Sequence, residues 1–226
     1  MHLRHYLSII KRLSVLFFIS MGLGACDNLM GDDLSDALLP GSRLVMKTTN
    51  GVLSADLVSA ENGFRKWNIS LNDRTAFSFK SYRGLINVAV SEGSFQYWNE
   101  YQFDGIDEHF PLEVGKEFML NGTRHMRRSE AEIPFWLHVS VRDKSHVRLD
   151  EEDFEVLIVD MVTERNGPNG VLRENKTVWY SPKLQMELRS EGERNGEKFS
   201  NKIIRIERAS PENQPRRRRG LGTVSI

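Results

Sequence analysis

The chain has 226 residues, enough for one sizeable domain or two small ones, and its 31 lysines and arginines balance 31 aspartates and glutamates. Such a balance lacks the one-signed field that a nucleic-acid partner demands, so nucleic acid is excluded as the main partner. Hydrophobic residues make up 39% of the chain, carried in short alternating runs and not in helical stripes, and there is a single cysteine, Cys26.

At the start, Arg4, Lys11 and Arg12 precede an apolar run from Leu13 to Met21, and the small residues Gly22, Gly24 and Ala25 follow. That order of charge, apolar run and small residues reads as a secretory signal peptide over 1–25. The run is too short for a membrane span, which needs about 20 apolar residues. Leu23-Gly24-Ala25-Cys26 resembles, position by position, the motif that closes bacterial lipoprotein signals. The resemblance implies cleavage before Cys26, a diacylglycerol thioether on its sulfur and a fatty acyl chain on its new amino group. Several chains together make a stable anchor where one binds only marginally, so the membrane is an expected partner. An ordinary signal peptide would instead leave Cys26 as a free thiol in an oxidising compartment. In enteric lipoproteins an aspartate after the cysteine marks retention at the inner membrane, and Asp27 holds that place. The expected location is therefore the periplasmic side of a bacterial membrane, the inner one by this residue.

Past the signal, 28 basic residues face 31 acidic ones. Residues 26–42 are polar and acidic, with Asp27, Asp32, Asp33 and Asp36, and read as a lipidated flexible tether reaching roughly 20 to 25 Å. From Arg43 the period changes to two. Trp67, Ile69 and Leu71; Ile86, Val88 and Val90; Phe95 and Tyr97; Tyr101 and Phe103; Ile133 to Val141; and Leu184, Met186 and Leu188 each alternate with polar neighbours, the mark of half-buried strands. Asn50-Gly51, Asn62-Gly63, Glu92-Gly93, Asp104-Gly105, Asn121-Gly122 and Asn195-Gly196 are hairpin signals between them. Phe154 to Val162 is almost continuously apolar, as for a central strand or one crossing between layers. The spacing predicts an all-β domain over 43–208, a single antiparallel curved sheet forming a half-barrel or sandwich. Residues 209–226 carry Pro211, Pro215 and the run Arg216 to Arg219, and read as a basic disordered tail. That run is either a solvated tail or a contact for anionic headgroups.

Phe110-Pro111-Leu112-Glu113-Val114-Gly115-Lys116 and Thr177-Val178-Trp179-Tyr180-Ser181-Pro182-Lys183-Leu184 together resemble a group of uncharacterised proteobacterial envelope β-meander proteins with a tryptophan-tyrosine-x-proline-x-leucine motif. The likeness covers about half of the chain, roughly Phe95 to Glu207. It implies a curved antiparallel sheet akin to periplasmic lipid and lipoprotein carriers, and it supplies no catalytic residues. The sequence departs from the pattern at Arg148 to Phe154, where the group has a proline-glycine turn, and at Gln185, where it has glycine.

Candidate sites are few. His109, His125, His138 and His146 lie in no metal-binding spacing, so neither a metal nor a cofactor is expected. Asp150 to Asp153 lack the spaced oxygens and turn glycine of a calcium loop. Asp104, Glu108 and His138 would carry the acid-base work of an envelope hydrolase, but no nucleophile-base spacing accompanies them. Trp67, Trp98, Phe135, Trp136, Trp179 and Tyr180 are the set from which an apolar ligand pocket would be built. Three functions follow in order: a non-catalytic, membrane-anchored module that binds or scaffolds an envelope protein; a carrier or sensor of lipid or lipoprotein; and, last, the hydrolase.

Overall fold

Alternating strands each expose one dry face, and without helices to cover those faces the sheet must cover them itself. In the computed structural model of the chain, residues 38–72, 74–92, 95–101, 106–167 and 170–210 are described. The signal, Cys26, Asp27, Asp104 and the arginine run lie outside them. The strands are β1 (Arg43–Thr48), β2 (Gly51–Glu61), β3 (Phe64–Leu71), β4 (Arg74–Tyr82), β5 (Ile86–Glu92) and β6 (Phe95–Tyr101), then β7 (Glu117–Met126), β8 (Glu132–Leu149), β9 (Glu152–Gly167), β10 (Gly170–Ser181), β11 (Met186–Arg194) and β12 (Glu197–Glu207). Each pairs antiparallel with the next, and β1 pairs with β12 from Arg43↔Glu207 to Thr48↔Asn201, so the sheet is a closed barrel.

This corrects the expected half-barrel or sandwich. Alternation reports which face of a strand is buried, whereas closure depends on whether the two outermost strands meet, a contact between residues more than 150 positions apart. Closing the barrel leaves no free edge to pair with another chain. Ahead of β1, Leu38 is buried in the core, Gly41 N–H donates to the Leu57 carbonyl at 2.8 Å, and Ser42 Oγ accepts from Ala209 N–H at 3.0 Å. The folded body thus already includes Leu38 to Ser42.

Asn62-Gly63 and Asn195-Gly196 are tight turns with both residues left-handed, as their chemistry dictates. Asn121-Gly122 is not a turn but lies inside β7. A Cβ on Gly122 would stand 2.6 Å from the Glu100 carbonyl and 2.7 Å from the Phe135 ring, so the glycine makes room for an aromatic crossing the strand. The β6–β7 connection runs instead through a short 3-10 turn, Ile106–His109.

Two apolar cores fill the interior. One holds Ile86, Leu120, Val139, Val159 and Val178; the other holds Leu44, Leu57, Trp67, Ile69, Leu188 and Ile203. The apolar run of β9 serves both, with Phe154 and Val156 in the second core and Leu157, Val159 and Met161 in the first. A bulge in β8, where pairing steps from Val141↔Val159 to Asp143↔Ile158, accompanies that change.

Up-and-down order puts the turns at Asn62-Gly63, Arg83–Leu85, Asp150-Glu151 and Pro182–Gln185, with the chain's entry and exit, at one end, here called the lower. There the Arg83–Leu85 and Pro182–Gln185 turns meet from opposite walls. Gly84 lies so close that a Cβ would be 1.9 Å from the Gln185 carbonyl oxygen, and Tyr180 Oη donates to the Arg83 carbonyl at 2.9 Å.

Candidate functional site

Inward and outward faces alternate, so neighbouring aromatics part company. Phe135 and Tyr180 share the inward parity of Leu137 and Val178, which puts Trp136 and Trp179 on the opposite faces of their strands, both half-buried. Of the six aromatic candidates, the structure brings Trp67, Phe135 and Tyr180 inside. Trp67 is buried and stacks on Phe79 at 6.5 Å; Phe135 meets Tyr101 edge-on at 5.3 Å. Trp98 is outside, 47% exposed and stacked on His125 at 4.9 Å, whereas Trp179 is partly buried, packing against the second core with the Arg189 guanidinium 4.2 Å over its ring.

The histidines are on the outer wall or in loops. His138 Nε2 is 2.6 Å from Glu117 Oε1, His125 sits between Glu100 and Glu132 at 2.9 and 3.4 Å, and His109 stacks on Phe118. His146 and Glu108 are exposed. Asp150 lies in the β8–β9 turn with a left-handed φ, and Glu152 bridges Arg208 at 3.0 Å and Lys183 at 3.4 Å. Among the described residues, no three His, Cys, Asp or Glu side chains are grouped to hold a metal ion.

Shallower and more open concavities also occur, among them one lined by Asn175, Thr177 and Phe199; the lumen has two compartments. One, of about 280 Å³, is lined by Leu44, Met46, Leu53, Trp67, Phe77 and Phe79 among others. For scale, an apolar cavity of about 150 Å³ admits benzene. The other, of about 260 Å³, is lined by Tyr97, Asn99, Tyr101, Arg124, Phe135, Arg165, Glu174 and Arg194. Leu85, Asn87 and Lys176 belong to both walls, so the compartments adjoin.

The polar compartment occupies the upper half, above Leu120, Val159 and Val178. Arg194 Nε donates to Glu174 Oε2 at 2.6 Å, and Lys176 Nζ to Glu187 Oε1 at 2.5 Å. Burial opposes the charge on Glu174, but the Arg194 hydrogen bond and the charges of Arg194, Lys176 and Arg165 hold its carboxyl below the usual carboxylate range. Arg124 Nε donates to Asn99 Oδ1 at 2.9 Å and its guanidinium lies 4.0 Å over the Tyr97 ring. Burial lowers its pKa, Tyr97 opposes that, and Arg165 reinforces it. Tyr101, buried, has its phenol pushed up and donates to the Asn87 carbonyl at 2.6 Å.

None of these polar residues was a candidate from sequence. The signal that would have found them is parity. Arg124 continues the inward series Leu120, Gly122; Arg165 continues Met161, Thr163; Lys176 and Glu174 continue Tyr180, Val178; and Arg194 continues Ser190, Gly192. Each is a charge in phase with a buried set.

No family model matches the chain, and no curated protein is similar to it in sequence. Among solved structures, the crystal structure of the hypothetical lipoprotein YmcC from Escherichia coli is similar, with a TM-score of 0.51 and 10% identity over 76% of this chain and 89% of that one. A Bacteroides fragilis protein solved as a candidate exported protein with a YmcC-like fold gives a TM-score of 0.47 and 11% identity, covering 76% and 98%. The chain thus shares its all-β fold with YmcC.

Proposed function

We propose that this chain is a lipid-anchored, non-catalytic binding protein of the bacterial cell envelope that holds an amphiphile inside its barrel. The carrying observation is the divided lumen, in which an apolar compartment adjoins a polar, charged one of similar size. A cavity that joins many apolar side chains to a few convergent polar groups is how small amphiphilic ligands are held. Envelope location is supported by the export signal ending at Cys26 and by the fold shared with a hypothetical lipoprotein. The polar compartment lies toward the end of the barrel away from Ser42 and Ala209, where the chain enters and leaves.

The carrier reading is preferred to scaffolding because the exposed large apolar residues, such as Val52, Leu71, Met119 and Val171, are spread over β2, β3, β7 and β10. Single exposed apolar residues are normal on any surface. The test is native mass spectrometry with lipid extraction on the full chain carrying Cys26→Ser, purified without detergent. A stoichiometric amphiphile released by solvent is expected. An apo mass together with no saturable uptake of an acyl-chain probe would defeat the reading. The same variant should leave the membrane fraction, and tight retention there would sink the lipidation.

A further inference from the structure

The polar compartment holds more positive charge than its own carboxylates neutralise. Arg124, Arg165, Lys176 and Arg194 line it against one carboxylate, Glu174. Glu174 is taken by Arg194, and Lys176 is taken by Glu187 from the adjoining wall. Arg124 is held by neutral groups only, the Asn99 amide and the rings of Tyr97 and Phe135. Among the described residues, no carboxylate lies within 4.0 Å of Arg124 or Arg165. These two guanidiniums therefore share one compartment with no carboxylate in contact with either, and Glu174 acts on them only at longer range while it pairs with Arg194. Like charges in low dielectric repel, and folding gains nothing from keeping them together.

A second observation lies at the junction of the compartments. Ser81 and Asn87 are cross-strand partners on β4 and β5. Ser81 Oγ and Asn87 Oδ1 are buried without a hydrogen-bond partner, although Asn87 Nδ2 donates to Tyr97 Oη at 3.1 Å. Buried polar atoms are normally satisfied, so two such neighbours on a cavity wall mark where a ligand's polar atoms belong.

We infer that the polar compartment is a phosphate-group site built from Arg124 and Arg165, with Arg194 at its rim, and that it takes the head of a phosphorylated amphiphile. This rests on the amphiphile reading above and names the ligand's chemical class. A guanidinium presents a planar fork that matches phosphate oxygens in pairs. A phosphate monoester carries about −1.5 to −2 charge near neutral pH, which matches two unneutralised guanidiniums, whereas a carboxylate would leave one over. The chain of the ligand lies against Trp67, Phe77 and Phe79. A hydroxyl or amide between head and chain meets Asn87 and Ser81.

The test uses the full chain carrying Cys26→Ser and titrates three probes at one fixed ionic strength: lauroyl lysophosphatidate, monolauroylglycerol, and glycerol phosphate with inorganic phosphate as its simpler form. Charged hydrogen bonds predict that the lysophosphatidate binds roughly 10- to 100-fold tighter than monolauroylglycerol. Arg165→Gln and Arg124→Gln should erase that advantage while monolauroylglycerol binding stays as it was. Glu174→Gln, which frees Arg194, should strengthen lysophosphatidate binding several-fold, an effect of opposite sign that misfolding cannot mimic. Equal binding of lysophosphatidate and monolauroylglycerol, unchanged in the arginine variants, would overturn the phosphate site and leave the amphiphile reading standing. Glycerol phosphate or free phosphate binding as tightly as the lysophosphatidate, and lost in Arg165→Gln, would keep the anion site and overturn the amphiphile reading. Failure of every probe would overturn both.

Discussion

The two ends of the barrel each bury arginine, and they treat it in opposite ways. At the lower end Arg65, only 3% exposed, donates from Nη1 to the carbonyls of Leu184 at 2.5 Å and Gln185 at 3.0 Å. It ties β3 to the turn between β10 and β11, supplying donors to carbonyls that the turn leaves unpaired. At the upper end Arg124 and Arg165 line one compartment, and among the described residues neither has a carboxylate within 4.0 Å. One end spends its buried charge on holding the fold together, while the other keeps charge that no carboxylate contacts. Positions where local energetics are poor and nothing in the fold compensates are where function is expected.

The largest effect should come from the lower end, at Gly84. Its φ of +66° disfavours any side chain, and an added Cβ would stand 1.9 Å from a backbone oxygen that cannot swing aside. Gly84→Ala forces the two turns apart and should cost about 3 to 5 kcal/mol by overpacking and backbone strain together. For a domain of this size that lowers the melting temperature by roughly 6 to 20 °C, measurable by circular dichroism. A melting temperature within a few degrees of the parent would mean that the turns do not press on each other.

Next in size is the paired substitution of the two arginines by methionine. Arg65→Met leaves the buried Leu184 carbonyl and the half-buried Gln185 carbonyl without that donor and should destabilise by about 2 to 3 kcal/mol. Arg124→Met removes a desolvated charge that no carboxylate contacts, against the loss of one hydrogen bond to Asn99, and should leave unliganded stability within about 1 kcal/mol of the parent. Chemical denaturation of both variants without ligand reads the difference. Equal losses would erase the contrast between the ends and make Arg124 a structural residue like Arg65.

How much of this was legible beforehand follows from the range over which each signal acts. Strands were visible because the period of two is local; Trp67 to Leu71, Ile133 to Val141 and Leu184 to Leu188 all lie in strands or at their edges. Turns were visible where asparagine and glycine supply left-handed backbone, at Asn62-Gly63 and Asn195-Gly196. Asn121-Gly122 misled because the same pair can serve a ring crossing from another strand, and Phe135 is 13 positions away. Closure was hidden because it rests on Arg43 to Thr48 meeting Asn201 to Glu207. The aromatic set divided between inside and outside because composition gives residue type, whereas phase relative to the core gives direction. The charged compartment was readable in principle, as Arg165 in phase with Met161 shows, but only once the lumen was known to be closed all round. Asp104, Cys26 and the arginine run lie outside the described residues.

The smallest expected effect sharpens the upper end through pH. Burial alone would raise the pKa of Glu174, yet Arg194, Lys176 and Arg165 together depress it below the ordinary value of 4.5. A depressed carboxyl contributes stability that is present in full above the unfolded pKa and lost as pH falls through the folded one. Arg194 is 58% exposed at its side chain while Glu174 is 20% exposed, so solvent screens the pair and its contribution is held to about 1 kcal/mol. At pH 7 Glu174→Gln should therefore melt roughly 2 to 4 °C below the parent. The gap should begin to close below about pH 4.5 and vanish once Glu174 is protonated in both states. The same loss of Glu174 strengthens the binding of a phosphorylated amphiphile, so the stability and affinity of one variant move in opposite directions. A gap that persists unchanged through the acid range would mean that the carboxylate does not neutralise Arg194, and the count of unneutralised cations in the upper lumen would rise from two to three.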